Sequence, residues 1–169
     1  MNRMLIVVII LTLGLLIASC GGETSQNPWI GKPAPDFQFQ GSDNGQPVSL
    51  SDLKGKPVLI NFWATRCGPC RMEMPYLQQV YDEWQGKGLV LLAINIGESP
   101  SQIAEFMQSQ GLSLPVLLDS EGKIAQKYNI QYIPSTFFID RDGIIQDMKV
   151  GSFQSKAEIE SSLSKLMTQ

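Results

Sequence analysis

Apolar and polar positions change period several times along the chain, and each change marks an element. Phe37-Gln38-Phe39 and Pro47-Val48-Ser49-Leu50 alternate on either side of a polar stretch at 41–45, the pattern of an antiparallel hairpin. Residues 58–64 are apolar apart from Asn61, as in a strand buried on both faces. From 68 to 85 the period lengthens. Cys70, Met74, Leu77, Val80, Tyr81 and Trp84 fall on one stripe, Arg71, Gln78, Asp82 and Gln85 lie opposite, and Gly86 and Gly88 end the helix. Residues 89–96 form a second continuous apolar strand. Ser99-Pro100-Ser101-Gln102 has the cap, first-turn proline and returning glutamine of a helix start; Ile103, Phe106 and Met107 continue it, and Gly111 stops it. A short strand at 115–118, a short helix at 121–128 and two strands at 135–139 and 144–150, joined by a turn at 140–143, follow. Ser155 and Glu158 have capping-box spacing before a last helix whose apolar face carries Ile159, Leu163, Leu166 and Met167. Strands alternating with helices, then a hairpin and a helix, predict an α/β layered domain.

The first residues follow none of these patterns. Arg3 precedes an apolar run from 4 to 18, broken only by Thr12 and Gly14. Its length of about 15 residues suits a signal peptide and falls short of the ~20 that span a bilayer. It ends in Ile17-Ala18-Ser19-Cys20, which resembles the bacterial lipobox, where the chain is cut before the cysteine and lipid is attached to its sulfur. Residues 1–19 are then a lipoprotein signal peptide, 20–28 a lipidated Cys20 with a flexible tether, and 29–169 the folded domain. An uncleaved anchor with an incidental Cys20 is the alternative. Both readings set the domain outside the cytoplasm, tethered to a bacterial membrane.

Composition narrows the chemistry. Hydrophobic residues make up 43% of 169, enough for a single core, and the net charge of −3 argues against a nucleic-acid partner. There is no histidine and there are only three cysteines, which excludes Cys-His and Ser-His catalysis, four-thiolate clusters and most catalytic zinc sites. Met72 and Met74 alone make a poor copper site, and no metal is expected. With Cys20 set aside, Cys67-Gly68-Pro69-Cys70 remains, where the buried strand passes into a helix. A helix N-terminus stabilises a thiolate at Cys67, Arg66 and Arg71 push the same way, and Cys70 lies one turn on. Cys67 is the expected nucleophile and Cys70 the resolving thiol of a redox-active pair. Glu73 falls inside the apolar stripe one turn after Cys70, where burial raises a carboxyl pKa and a proton could pass to the thiol. Alternatively it reaches solvent where Pro75 distorts the helix.

Residues 58–75, VLINFWATRCGPCRMEMP, resemble the active-site segment of the thioredoxin superfamily. More narrowly they resemble its extracytoplasmic TlpA/ResA-like thiol–disulfide oxidoreductases, which have redoxin/AhpC-TSA-related domains. The likeness starts at WIGKPAPDF (29–37) and runs to the last helix. It implies a thioredoxin-like three-layer fold: a central mixed sheet with helices on both faces, an N-terminal β-hairpin, and an insertion after the central strand within 96–128. It also implies an acid–base role for Glu73 and a cis-proline at Pro134 beside the cysteine pair, leaving the Ile133 backbone free to pair with an extended substrate. Trp63, Arg66, Gly68, Pro69, Ile133 and Pro134 are the expected substrate-contacting residues.

The implied activity is reduction of disulfides in secreted proteins or in apocytochrome c, by a monomer recharged by a membrane thiol-reductase, with no cofactor beyond the Cys67–Cys70 disulfide. Two positions depart from the pattern. Arg66 stands where many relatives carry Trp, which should favour the Cys67 thiolate and alter partner docking. Asn61 stands where cytosolic thioredoxins carry a buried Asp, and Asn cannot accept a proton. A thiol peroxidase would need Thr in place of Ala64 and Pro in place of Ile60; a tethered chaperone or binding protein using the fold without turnover is the third reading. The direction of electron flow stays open, because a low Cys67 pKa favours an oxidant whereas Gly-Pro between the cysteines matches reducing members of the superfamily.

Overall fold

The computed structural model describes residues 29–40 and 46–167. The signal-peptide, lipidation and tether expectations, Cys20 included, and the tip of the N-terminal hairpin lie outside these residues. None of the described helices is long and apolar enough to cross a membrane.

Strands β1 (Gln38–Gln40) and β2 (Pro47–Ser49) pair antiparallel with Phe39 opposite Val48, giving the expected hairpin. The main sheet contains β3 (Val58–Trp63), β4 (Val90–Ile96), β5 (Val116–Asp119), β6 (Ser135–Ile139) and β7 (Ile145–Val150) in the order β5-β4-β3-β6-β7. Strands β3, β4 and β5 run parallel, β6 pairs antiparallel with β3, and β7 pairs antiparallel with β6, so the sheet is mixed, as the thioredoxin-like expectation requires.

Side-chain alternation along β3 divides the interior in two. Leu59 and Trp63 face one side, packed under α1 (Gly68–Trp84), α2 (Pro100–Gln110) and α4 (Lys156–Met167). Val58, Ile60 and Phe62 face the other, covered by α3 (Lys123–Lys127), Tyr128 and the segment around Phe37 and Leu50. Asn61, between Leu59 and Trp63, must share their face. Between β4 and β6 the chain makes α2, edge strand β5 and α3, filling the stretch assigned to the insertion.

Helix ends follow their residues. Ser99 and Gln102 complete the α2 capping box, and Gly111 closes that helix at φ +63°, a left-handed conformation that glycine adopts without strain. Helix α3 is shorter than the pattern predicted. Buried Asp119 takes the Ile124 and Ala125 N–H groups at 3.0 and 2.8 Å, so the helix starts only after the chain has turned at Gly122 (φ +69°). At α4 only half of the capping box forms. Ser155 Oγ accepts the Glu158 N–H at 3.3 Å, but the Glu158 carboxylate accepts from Gln154 N–H and pairs with Lys149.

Candidate active site

The cysteine pair sits where β3 ends and α1 begins, at the carboxyl ends of the parallel strands, the usual location of sites in such sheets. Ala64 O accepts the Cys67 N–H at 3.1 Å, folding the chain back after Trp63. Cys67 is the N-cap of α1, with extended backbone (φ −84°, ψ 109°), and its Sγ accepts the Cys70 N–H at 3.1 Å. Gly68 and Pro69 form the first turn, where the missing proline N–H costs no hydrogen bond. The two sulfurs are joined in a disulfide. Cys67 is half-buried and Cys70 fully buried, so only the first sulfur is open to an incoming partner. On reduction, the N–H and the helix dipole that face Cys67 Sγ favour its thiolate.

The Ile133–Pro134 peptide is cis, as the resemblance implied. It brings the Ile133 carbonyl oxygen to 3.7 Å from Cys67 Sγ, an acceptor for the S–H of a reduced Cys67. Pro134 is buried and Ile133 half-buried.

Glu73 does not reach solvent. Helix α1 runs unbroken through exposed Pro75, and Glu73 is 0% exposed. Its Oε1 accepts from Asn61 Nδ2 at 2.8 Å and its Oε2 from the Phe153 N–H at 2.9 Å. Burial is the largest influence and raises the pKa from 4.5 to about 7, against the opposing pull of these two donors and of Lys149. A buried carboxyl that titrates near neutrality, one helical turn from Cys70, suits proton exchange. Asn61, dismissed as a proton carrier, is also the partner of Thr136, to whose Oγ1 Nδ2 donates at 2.9 Å. The two residues are direct cross-strand neighbours on β3 and β6.

Two expectations need correction. Trp63 is 0% exposed and packs on Phe106 with ring centroids 5.5 Å apart, so it supports the site from beneath and cannot contact substrate. Arg66 does not present an unbalanced charge to Cys67. Its guanidinium, 62% exposed, pairs with Glu98 at 3.1 Å, and that anion offsets the expected pull on the thiolate.

Glu98 itself was not anticipated. Its side chain is 4% exposed and accepts from the Thr65 N–H at 2.7 Å, Thr65 Oγ1 at 2.8 Å and Asn95 Nδ2 at 2.8 Å as well as from Arg66. Burial pushes its pKa up, but these donors outweigh it and hold the carboxyl below its usual range. It thereby ties down the loop immediately before Cys67. Its place follows from the strand pairing: β4 runs parallel to β3 with Asn95 opposite Trp63, so residues just past Asn95 end beside 65–66.

Around the disulfide, Gly68 and Pro69 are exposed, and so are two apolar side chains, Met72 (59%) and Tyr132 (75%). Hollows of about 270 and 680 Å³ lie elsewhere, and neither is lined by Cys67, Cys70, Glu73 or Ile133. The site is a partly apolar surface around one reachable sulfur.

Comparison with known proteins agrees with this geometry. Residues 30–148 match the AhpC/TSA family. The chain is 35% identical over 173 residues to the thiol-disulfide oxidoreductase ResA of Bacillus thuringiensis, covering 98% of this chain and 97% of that protein. Among solved structures it resembles a thiol:disulfide interchange protein of the thioredoxin family from Chlorobium tepidum, with TM-score 0.69 and 32% identity over 81% of this chain and 97% of that one. It also resembles StoA from Bacillus subtilis, with TM-score 0.64 and 28% identity over 79% and 98%. With a buried-strand CxxC pair, a cis-proline beside it and relatives of this kind along nearly its whole length, the chain belongs to the AhpC/TSA family and is a thiol–disulfide oxidoreductase of the ResA type.

Proposed function

We propose that the protein is a membrane-tethered, extracytoplasmic reductant of disulfides in secreted proteins, with the heme-site cysteines of apocytochrome c as one substrate class, and that a membrane thiol-reductase recharges it. The Cys67 thiolate attacks one sulfur of a substrate disulfide. That bond breaks, a Cys67–substrate mixed disulfide forms, and the other substrate sulfur leaves as a thiolate that takes a proton. Cys70 then loses its proton to the Glu73 carboxylate and attacks Cys67 Sγ. The mixed disulfide breaks, the second substrate thiol is released, and two electrons have passed from the protein to the substrate.

The observation that carries this reading is the gradient of depth: a half-exposed Cys67 beside the Ile133 carbonyl, a buried Cys70, and a buried Glu73 one turn further on. Arg66, Gly68, Pro69 and Ile133 form the rim on which an extended segment pairs, and buried Pro134, expected there too, lies beneath it next to Ile133. The lipobox-like residues ending at Cys20 support the tether. Cys70→Ala removes the resolving step, so the variant, incubated with a reduced-then-reoxidised secreted protein fraction or an oxidised apocytochrome peptide, should accumulate covalent adducts at Cys67 that dithiothreitol releases. Absence of adducts, with Cys67 still alkylatable, would refute exchange catalysis.

A further inference from the structure

Glu73 poses a hydrogen-bonding problem. Both of its carboxylate oxygens face N–H donors, Asn61 Nδ2 at 2.8 Å and the Phe153 main-chain N–H at 2.9 Å. That arrangement suits the ionised group, which only accepts. Once Glu73 takes a proton, one oxygen becomes a donor. The Phe153 N–H belongs to the backbone and cannot reverse, so the new O–H must point from Oε1 at Asn61, where it meets an amine. Glu73 and Asn61 are both fully buried, and a donor facing a donor there is costly. The proton-carrying role proposed for Glu73 requires both charge states, and the observed orientation of Asn61 satisfies only one.

Asn61 has the means to satisfy the other. Nδ2 gives its two hydrogens to Glu73 Oε1 and to Thr136 Oγ1 (2.9 Å). On the opposite side, Oδ1 is buried with no hydrogen-bond partner among the described residues, so nothing there holds the amide in a single orientation. A primary amide presents amine or carbonyl to the same neighbours after a half-turn about χ2. The Thr136 hydroxyl can accept or donate. We propose that Asn61 is a positioning residue whose side-chain amide follows the charge of Glu73, amine toward the carboxylate and carbonyl toward the carboxylic acid, while the Thr136 hydroxyl reverses from acceptor to donor. In the second orientation Oδ1 accepts from the Glu73 O–H and from the Thr136 O–H, which relieves the donor facing a donor, while the amine turns to the side where Oδ1 has no partner among the described residues. The inference rests on the proton role of Glu73 and gives a reason for both a neutral amide at 61 and a hydroxyl at 136.

The other charges facing Glu73 are Lys149 from β7 and Glu158 from α4, which lower and raise its pKa respectively and are paired with each other. On α1 itself the nearest titrating group is the Cys70 thiol, which the oxidised protein removes. The experiment therefore uses the oxidised protein, with the Glu73 carboxyl followed by ¹³C NMR and the Asn61 side-chain amide by ¹⁵N NMR across the pH range. In the wild type both signals should move with one midpoint. Thr136→Val deprives an Asn61 N–H of its acceptor when Glu73 is ionised, but removes only one of two donors to a carbonyl when Glu73 is protonated. Its midpoint should therefore rise by about half to one pH unit; Thr136→Ser should restore the wild-type midpoint.

In an Asn61→Leu background Thr136→Val should produce no shift, because the connection is gone. An Asn61 amide signal that ignores the Glu73 titration overturns the proposal, and that measurement needs no variant to fold. An equal Thr136→Val shift with and without Asn61, or no shift at all, overturns it too. No turnover is required, so the titration can fail while disulfide exchange is intact, or hold while exchange is absent.

Discussion

Replacing Glu73 by Gln should change how stability depends on pH, and by a predictable amount. The folded protein holds this carboxyl at about 7, mainly through burial, whereas the unfolded chain releases its proton near 4.5. Below about pH 4 both states are protonated and the fold keeps its full stability. Between 4.5 and about 7 the unfolded chain ionises and the folded one does not, so stability falls as pH rises, by about 1.4 kcal/mol per pH unit. Above about 7 both are ionised and the loss stops at about 3 kcal/mol. The amide introduced by Glu73→Gln is uncharged throughout and resembles the protonated acid in shape and in donor–acceptor pattern, so the variant has no such loss. Carboxyls held below their usual range, such as Glu98 and Asp147, act in the opposite direction, and the wild-type curve alone would conceal the effect. They cancel in the difference between variant and wild type. Urea unfolding of both oxidised proteins at about pH 4 and about pH 8 should show Glu73→Gln gaining about 3 kcal/mol on the wild type across that interval. A difference that changes by less than about 1 kcal/mol, or in the opposite sense, would refute the claim that burial keeps this carboxyl protonated toward neutrality.

Arg66→Ala removes the cation that balances Glu98, leaving a carboxylate charge beside Cys67, so the Cys67 thiol pKa should rise by about half a unit or more. Adding Glu98→Gln should bring it back toward the wild-type value. The pH dependence of iodoacetamide alkylation measures both, and a pKa that falls in Arg66→Ala would contradict the ion pairing. The direction of electron flow is tested by the reduction potential against glutathione. A reductant requires a value nearer about −270 mV, where reducing members of the superfamily lie, than about −120 mV, where strong oxidants lie.

Those parts of the site that depend on one segment were legible in the sequence. The Cys67–Cys70 pair, the helix that starts on it and the burial of Glu73 all follow from a strand running into a 3.6-residue stripe. Pro134 is a different case, because nothing local to Tyr132-Ile133-Pro134 distinguishes a cis bond from the trans default, and only the resemblance did so. Partnerships between segments were hidden. Glu98 reaches Thr65 and Arg66 because β3 and β4 pair in parallel with Trp63 opposite Asn95, and Thr136 reaches Asn61 because β6 pairs antiparallel in a register that puts them face to face. Neither register can be read from hydrophobic spacing, which reports the face a residue occupies and not its neighbour on the next strand. The same limit produced the two corrections. Arg66 looked like a bare cation because its counter-ion lies on another strand's exit, and Trp63 looked reachable because its depth under α2 is a tertiary fact.

The neutral amide at position 61 also bears on why this site functions without histidine. A second carboxylate at 61 would stand about 3 Å from Glu73, and two such groups cannot both ionise in a buried site; their protons would leave in two widely separated steps belonging to the pair. One step would fall well below neutral pH and the other well above it, and neither would suit transfer to and from a thiol. With Asn61 the site holds one titrating carboxyl and one proton. Burial raises its pKa, two N–H donors restrain the rise, and the balance falls at about 7. At that value the acid and its base are both present at neutral pH, so the same group can take the proton from Cys70 as the disulfide closes and return it as the disulfide opens.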